Sequence, residues 1–222
     1  MLTYRCRKTR KPPAVDASIA PRIWGLAEPA PLRLADTGKP PVQPTEARLL
    51  YDDEFLYVAF HSVDNDVWGS FTHRDDPICR EEAVEIFMDT SGRARSYIEI
   101  EVSPLNTVYD LYILNDPRCP PYRTLAEWNC AGLRTAVHVE SEMTAKGKVF
   151  KFWNCEMAIP FNQMHDAPNL PPRPGDRWRI NLYRIDRGHA RDEYSAWSPT
   201  GALTFHRPDK FGELLFLAPG RR

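Results

Sequence analysis

The chain lacks an excess of charge of either sign. Its 222 residues include 29 lysines and arginines against 30 aspartates and glutamates, which gives a formal net charge of −1. Tight binding to a polyanion requires a basic surface, because the affinity comes largely from releasing the counterions around the phosphates. We therefore expect neither nucleic acid nor an anionic membrane surface as a partner.

Long apolar runs are missing as well. No segment approaches the roughly 20 apolar residues that a membrane span requires. The basic run from Arg5 to Lys11 is not followed by the apolar centre of a secretory signal. We interpret residues 1–14 as a solvated basic extension and expect a cytoplasmic location.

Several motifs of enzymes and metalloproteins are absent. The five cysteines include no C-x-x-C pair and leave one thiol over in any disulfide scheme, so we expect mostly reduced thiols. None of the six histidines has the spacing of a zinc-binding helix, and we predict no metal ligands among them. The lack of a glycine-rich phosphate loop and of a G-x-S-x-G turn argues against nucleotide binding and serine hydrolysis.

The residues that are present favour strands. Twenty-one prolines and eleven glycines interrupt the chain too often for long helices. From Ala47 onward, apolar and polar residues alternate with period two, as half-buried strands require. The pattern predicts an all-β fold, an antiparallel β-sandwich of the immunoglobulin or jelly-roll kind, with about nine or ten strands and minimal helix. We expect residues 15–222 to form one domain.

The clearest strand pair is a hairpin from Val84 to Val102. A turn at its centre places Glu85 opposite Glu101 and Phe87 opposite Glu99, so all four side chains share one face. Three interpretations of Glu85 and Glu99 follow. They form a solvated or arginine-paired surface, a ligand-binding pair, or the acid and base of a glycoside hydrolase, which needs carboxyl groups about 5 to 9.5 Å apart.

Several phrases occur along the chain in a fixed order: Tyr51 to Phe60 (YDDEFLYVAF), Glu82 to Asp89 (EAVEIFMD), Tyr97 to Val102 (YIEIEV), Trp178 to Arg184 (WRINLYR), and Trp197-Ser198-Pro199 before Phe211-Gly212. Their order and spacing resemble the carbohydrate-binding module family 9 domains and their family 9-like relatives, a branch of the DOMON-type β-sandwiches. The resemblance extends from about Val15 to Leu217. It agrees with the fold predicted from the alternating pattern.

The resemblance implies a non-catalytic module that binds a mono- or oligosaccharide. Aromatic rings stack on the C–H faces of a sugar, and polar side chains hold its hydroxyls. A polar contact of the family matches Glu85, while the position of a basic family residue is taken by Glu99. The resemblance and the neighbouring loops together give these candidate ligand-binding residues: Glu85, Glu99, Tyr183, Arg184, Trp128, Phe205 and His206. Tyr122 is a further candidate for the aromatic platform.

Alternatives to this interpretation remain. The first is a sugar-acting enzyme that uses Glu85 and Glu99, and the second is a DOMON-like redox module with Met88 as a haem ligand. We predict no resident cofactor, although relatives bind calcium through loop oxygens. The acidic turns Asp64-Asn65-Asp66 and Asp75-Asp76 are either such calcium ligands or plain turn formers. We expect a monomer that binds carbohydrate and assists carbohydrate catabolism by a partner enzyme.

Overall fold

The computed structural model describes residues 1–115, 122–145, 147–188 and 191–220. Strands make up most of its regular structure: β1 (Thr3–Lys8), β2 (Ala30–Pro31), β3 (Arg33–Leu34), β4 (Thr45–Tyr51), β5 (Phe55–Val63), β6 (Ala83–Asp89), β7 (Ser96–Val102), β8 (Val108–Leu114), β9 (Arg123–Leu125), β10 (Arg134–Thr144), β11 (Gly147–Pro160), β12 (Arg177–Arg187), β13 (Asp192–Ala196) and β14 (Gly212–Leu217). The helical elements are α1 (Pro21–Trp24) and three single 3₁₀ turns, at Ile78–Arg80, Phe161–Gln163 and Pro208–Lys210.

The prediction of an all-β sandwich with minimal helix is confirmed. The nine or ten strands predicted from Ala47 onward correspond to β4 to β8 and β10 to β14, whereas β1, β2, β3 and β9 were not predicted. Three of these four strands have only two or three residues, too few to show an alternation. Every helical element in the described part of the chain is too short to cross a bilayer.

The interpretation of the basic N-terminal run as a solvated extension is wrong for β1. This strand pairs in parallel with β14, with Thr3 opposite Glu213, and its end also pairs with β4. Tyr4 and Cys6 point into the core and are buried, while Arg5 between them is exposed. The period-two pattern was present, but the basic residues on the outer side of the strand obscured it. A domain boundary at residue 15 stays a prediction.

The strands form two layers around one core. The hydrogen-bonded path runs β10-β11-β5-β4 through the first layer and β14-β12-β6-β7-β8-β9 through the second, with β1 between β4 and β14. Apolar side chains from both layers meet in one cluster, for example Val58 and Met157 from the first layer and Ile86, Ile100 and Leu182 from the second. Burial of this apolar surface is the main stabilising contribution to the fold.

The segment between β1 and β4 covers the outer face of the first layer. Trp24 packs there against Tyr57 and Ala158. Its indole N–H donates to Oε1 of Glu156 at 2.7 Å. The carboxyl group of Glu156 also accepts backbone N–H groups from the covering segment, including that of Ala17 at 3.0 Å. One buried side chain of β11 therefore holds the segment in place.

Candidate functional site

A pocket of about 310 Å³ lies on the outer face of the second layer. Its floor includes one row of side chains on three strands, in which Glu85 of β6 is opposite Glu101 of β7 and Glu101 is opposite Tyr109 of β8. Tyr183 of β12 is opposite Glu85 and continues this row beyond the pocket lining. Directly paired residues place their side chains on the same face of a sheet. The pairing of β12, β6, β7 and β8 therefore brings polar groups together that are far apart in the sequence.

The hairpin of β6 and β7 has the predicted register, with Glu85 opposite Glu101 and Phe87 opposite Glu99. The expectation that the glutamates form a solvated surface is wrong. Glu85 and Glu101 are each 1% exposed and Glu99 is 3% exposed. The loop that follows β13 covers them and brings Phe205 against this face.

Two stacked ring pairs form part of the pocket. Phe205 stacks on Tyr183 with ring centroids 4.1 Å apart and an angle of 11° between the planes. The Tyr183 hydroxyl donates to the carbonyl oxygen of Phe205 at 3.0 Å, so the fully buried Tyr183 fixes the position of Phe205. At the rim, Tyr122 stacks on His206 with centroids 4.2 Å apart. The pocket therefore offers aromatic surface above a polar floor.

His206 faces the pocket as a neutral imidazole. Burial lowers the pKa of its ring to about 4. Nδ1 lies 2.9 Å from the Tyr97 hydroxyl and 3.9 Å from Oε2 of Glu99. The contact with Glu99 is not an ion pair at neutral pH, because a ring with this pKa is uncharged there. His206 therefore adds a hydrogen-bonding group to the pocket without neutralising its carboxyl groups.

The three glutamates form a compact cluster in which a carboxyl oxygen from each lies within 4.8 Å of the other two. One oxygen of each, Oε1 of Glu85 and Oε2 of Glu99 and Glu101, has no hydrogen-bond partner among the described residues. Burial, with a smaller contribution from the neighbouring carboxyl groups, raises the pKa of Glu85 and Glu101 well above the usual value. Burial raises the pKa of Glu99 to about 7. These carboxyl groups therefore share protons near neutral pH and have capacity to accept further hydrogen bonds.

An arginine-paired surface is also excluded for the described part of the pocket. None of the described residues that line it is a lysine or an arginine. Arg187 stacks on Tyr194 at the rim, with its guanidinium carbon 5.0 Å from the ring centroid, and is paired with Asp192. The pocket is thus acidic without a basic side chain in its lining.

Arg184 lies outside this pocket. Neighbouring residues of a strand point to opposite faces, so Tyr183 and Arg184 cannot both face the same ligand. Arg184 is directed between the layers, where Nη2 lies 2.7 Å from Oδ2 of Asp64 and 3.3 Å from Oδ2 of Asp186. Its Nη1 also donates to the backbone carbonyl of Val63 at 2.8 Å. Arg184 therefore forms buried ion pairs with Asp64 and Asp186 inside the fold.

Trp128 is also separate from the pocket. Its ring lies 6.2 Å from that of Tyr112 and packs against the core cluster between the layers. Tyr112 is opposite Ile98, on the face of the second layer that points away from the pocket. Among the predicted ligand-binding residues, the structure therefore brings together Glu85, Glu99, Phe205 and His206, with Tyr183 behind Phe205.

The acidic turns that were candidate calcium ligands are already engaged within the protein. Asp64 pairs with Arg184 through Oδ2, and its Oδ1 accepts the backbone N–H of Asp66 at 3.0 Å. Oδ2 of Asp76 accepts two backbone N–H groups of its own turn. Asp64 also lies with Glu82 and Asp186 in a buried group of carboxyl oxygens within 4.8 Å of one another, and Arg184 pairs with Asp64 and Asp186 there. The hydrogen bonds of Asp64 and Asp76 to backbone N–H groups agree with the turn-forming interpretation.

Met88, the candidate haem ligand, is 1% exposed and belongs to the core cluster. The cavity that it borders has a volume of about 10 Å³, far smaller than a porphyrin. The haem alternative therefore has no support from the described residues.

Glu101 was missed as a site residue. It is opposite Glu85 and as deeply buried, and the alternation Tyr97-Glu99-Glu101 already places it on the face that carries Glu99. Tyr109 completes the same row from β8. Applying the period-two rule to the whole face, instead of to the residues matched by resemblance, would have identified both.

The sequence matches the carbohydrate family 9 binding domain-like family over residues 15–217. The chain belongs to this family. The resemblance predicted from the sequence phrases is thereby confirmed. Family 9 domains are non-catalytic carbohydrate-binding modules, which confirms the prediction that the chain is not an enzyme.

Solved structures share the fold of this family 9 domain at low sequence identity. A candidate carbohydrate-binding protein from Bacteroides uniformis superposes with a TM-score of 0.75 at 16% identity. The superposition covers 96% of this chain and 98% of the Bacteroides chain. A family 9 module from Caldicellulosiruptor kristjanssonii in complex with cellotriose gives 0.65 at 14% identity, with 99% and 95% covered. A family 9 module from the same organism in complex with glucose gives 0.61 at 15% identity, with 98% of each chain covered.

The predicted cytoplasmic location is contradicted. A curated relative from Arthroderma benhamiae, 23% identical over 185 residues and covered to 80% in both chains, is named an extracellular protein. The prediction had relied partly on unpaired cysteines. The four described cysteines, Cys6, Cys79, Cys130 and Cys155, are free, and three of them are buried. Free thiols at these four positions agree with the expectation of mostly reduced cysteines. Cys119 lies outside the described residues.

Proposed function

We propose that this family 9 domain binds a mono- or oligosaccharide in the pocket whose floor contains Glu85, Glu99 and Glu101. The observation that carries the proposal is the meeting of buried, incompletely hydrogen-bonded carboxyl oxygens with stacked aromatic rings in one pocket. Carboxyl oxygens accept hydrogen bonds from sugar hydroxyls, and ring faces pack on the apolar C–H patches of a pyranose.

Each contact has a distinct role in this proposal. Glu85 and Glu101, which are opposite each other on the pocket floor, accept hydrogen bonds from the hydroxyl groups of the sugar. Phe205 and Tyr122 supply ring surface, and the neutral His206 offers a further hydrogen-bonding group. Arg184, Trp128 and Tyr183 contribute to stability and do not touch the ligand.

A glucose-type pyranose is the first ligand to test. Family 9 modules of the same fold have been solved in complex with cellotriose and with glucose. The pocket volume of about 310 Å³ accommodates one sugar ring with some additional space. We therefore expect the terminal unit of a chain, or a monosaccharide, to enter the pocket.

A glycan array followed by calorimetric titration tests the proposal. Glu85→Gln keeps the shape of the side chain but removes one acceptor, and Phe205→Ala removes a ring. A sugar hydroxyl left without its acceptor costs about 1–3 kcal/mol, and loss of the Phe205 ring removes apolar contact with the sugar, so each variant should bind the best array ligand at least about fivefold more weakly. Glu140→Gln, on the surface of β10, is the matched control and should bind as the unmodified protein does.

No binding to any glycan, or equal affinity in Glu85→Gln, Phe205→Ala and the control, would place the function elsewhere.

The predicted monomer is tested separately. A single species of monomer mass in size-exclusion chromatography with light scattering would agree with this prediction, and a stable dimer would contradict it.

A further inference from the structure

The acidic character of the pocket goes beyond what a neutral sugar requires. Three buried carboxyl groups, those of Glu85, Glu99 and Glu101, face one small volume. No lysine or arginine is among its described lining residues, and the only described imidazole there, that of His206, is uncharged at neutral pH. A buried cluster of like charges is stabilised by protons or by a cation.

The spacing of the carboxyl oxygens suits one kind of cation well. One oxygen from each glutamate lies within 4.8 Å of the other two. Because no two of these oxygens are more than 4.8 Å apart, one nitrogen can lie within about 2.8 Å of all three, which is the usual length of an N⁺–H···O⁻ hydrogen bond. A primary ammonium group has three N–H donors and no acceptor, as three carboxyl groups require.

The surroundings of the cluster favour an organic cation over a metal ion. The same pocket is lined by the rings of Phe87, Phe205 and Tyr122 and by the side chain of Leu111. Ring faces attract ammonium groups and also pack on the carbon skeleton that carries them. A hard divalent ion prefers six to eight oxygen ligands, which this largely apolar wall does not supply.

We propose that the pocket is selective for amine-bearing sugars, with the protonated amino group held between Glu85, Glu99 and Glu101 and the pyranose ring against Phe205 and Tyr122. This inference rests on the proposed function, because it specifies the ligand class of the same pocket. A neutral sugar leaves the carboxyl groups to retain protons, whereas an ammonium group replaces those protons with one shared positive charge. The acidic floor therefore selects the charged sugar.

Calorimetric titration of the full chain with three probes tests the selectivity. Glucosamine carries the ammonium group at about pH 6.5, where amino groups of this type are protonated, while glucose and N-acetylglucosamine have the same ring without the charge. Charged hydrogen bonds predict that glucosamine binds at least about tenfold more tightly than either neutral probe. The titrations are repeated with EDTA and with added calcium.

Variants connect the selectivity to the cluster. Glu101→Gln and Glu99→Gln are nearly isosteric, and each should reduce the preference for glucosamine over glucose to less than about threefold. Glu140→Gln should keep the full preference. Thermal melting checks that each variant is folded, and the two cluster variants support each other if one fails to fold.

Each outcome decides the question. Equal affinity for glucosamine and glucose, with loss of both in Glu85→Gln, would overturn the amine selectivity and leave the proposed function intact. Binding of any sugar that requires calcium and disappears in EDTA would show that the cluster holds a metal ion, and would also overturn it. A failure of all three probes together with an empty glycan array would overturn the proposed function as well.

Discussion

The Glu101 side chain has opposite effects on the stability of the fold and on ligand binding. It is fully enclosed, two further carboxyl groups lie within 4.8 Å of it, and no described basic side chain lines the pocket. Burying a carboxyl group without a cation destabilises the folded state. Residues that destabilise the folded state in this way are commonly retained because they bind a ligand.

Replacing Glu101 with glutamine should therefore stabilise the unliganded protein. The amide keeps the volume, removes one titrating group from the cluster and can donate to Glu99. We expect the free energy of unfolding to rise by about 1–2 kcal/mol at pH 7, measured by urea denaturation, while sugar binding weakens. Glu140→Gln should change neither quantity. A loss of stability in Glu101→Gln would mean that this carboxyl group serves the fold and not the pocket.

The sequence predicts which residues are opposite each other at the pocket, but it does not predict that they are buried. Period-two alternation fixes which residues are opposite each other, so the positions of Glu85 relative to Glu101 followed from the hairpin alone. Their burial depends on the loop carrying Phe205, which arrives from more than 100 residues later in the chain. No local pattern encodes that contact. Arg184 was misplaced because resemblance, unlike alternation, does not specify which face a residue occupies.

Glu82 should make the stability of the protein depend on pH above neutrality. Burial, together with the charge of Asp64, raises the pKa of Glu82 from its usual value near 4.5 to about 10. The folded protein thus retains a proton that the unfolded chain has lost, so this contribution to stability is complete below about pH 4.5 and is lost as pH rises through 10. The lowered pKa of His206 acts only below about pH 6.5 and does not interfere in this range.

We expect the free energy of unfolding to fall between pH 7 and pH 9, and to fall less steeply in Glu82→Gln. The difference in slope should approach about 1.4 kcal/mol per pH unit, the value for one proton. Urea denaturation at intervals of half a pH unit measures both slopes. Identical slopes in Glu82→Gln and the unmodified protein would show that another group retains the proton.

At the scale of elements, the segment that covers the first layer depends on one carboxyl group. Glu156 accepts backbone N–H groups of Asp16, Ala17 and Ile19 and the indole N–H of Trp24. Ala17 and Ile19 have φ values of 59° and 45°, in the left-handed region that a β-branched residue rarely adopts. Such a conformation persists where the surroundings impose it. The Glu156 carboxyl group provides that constraint.

Glu156→Gln should therefore loosen the covering segment and leave the sugar pocket unchanged. The amide nitrogen cannot accept hydrogen bonds and would point a donor at other donors, which costs about 2–3 kcal/mol of stability. Hydrogen exchange should become faster in residues 16–24 and remain unchanged in β6 and β7. Affinity for the best glycan should stay within about twofold, since Glu156 lies on the first layer and the pocket on the second. Equal protection of residues 16–24 in both proteins would argue against this role.

At the scale of the whole molecule, the position of the carboxyl groups disfavours hydrolysis. Glycosidases place an acid and a nucleophile or base on two sides of the scissile bond. Here all three glutamates lie side by side on one sheet face, on neighbouring strands. We expect no release of reducing sugar from aryl glycosides or polysaccharides above the rate of a Glu85→Gln, Glu101→Gln double variant. Release by the unmodified protein alone would promote the enzyme alternative.

The pairing of β1 with β14 determines when the sandwich can be completed during folding. Thr3 and Glu213 are 210 residues apart in the chain, yet their strands are neighbours in the sheet. Before β14 has been synthesised, β1 has only its short pairing with β4, and the two layers remain unjoined. Contacts between distant parts of a chain form slowly, because loop closure must precede them. The nascent chain therefore carries an open sheet edge until its last strand is synthesised, a period in which pairing with other chains competes with correct closure.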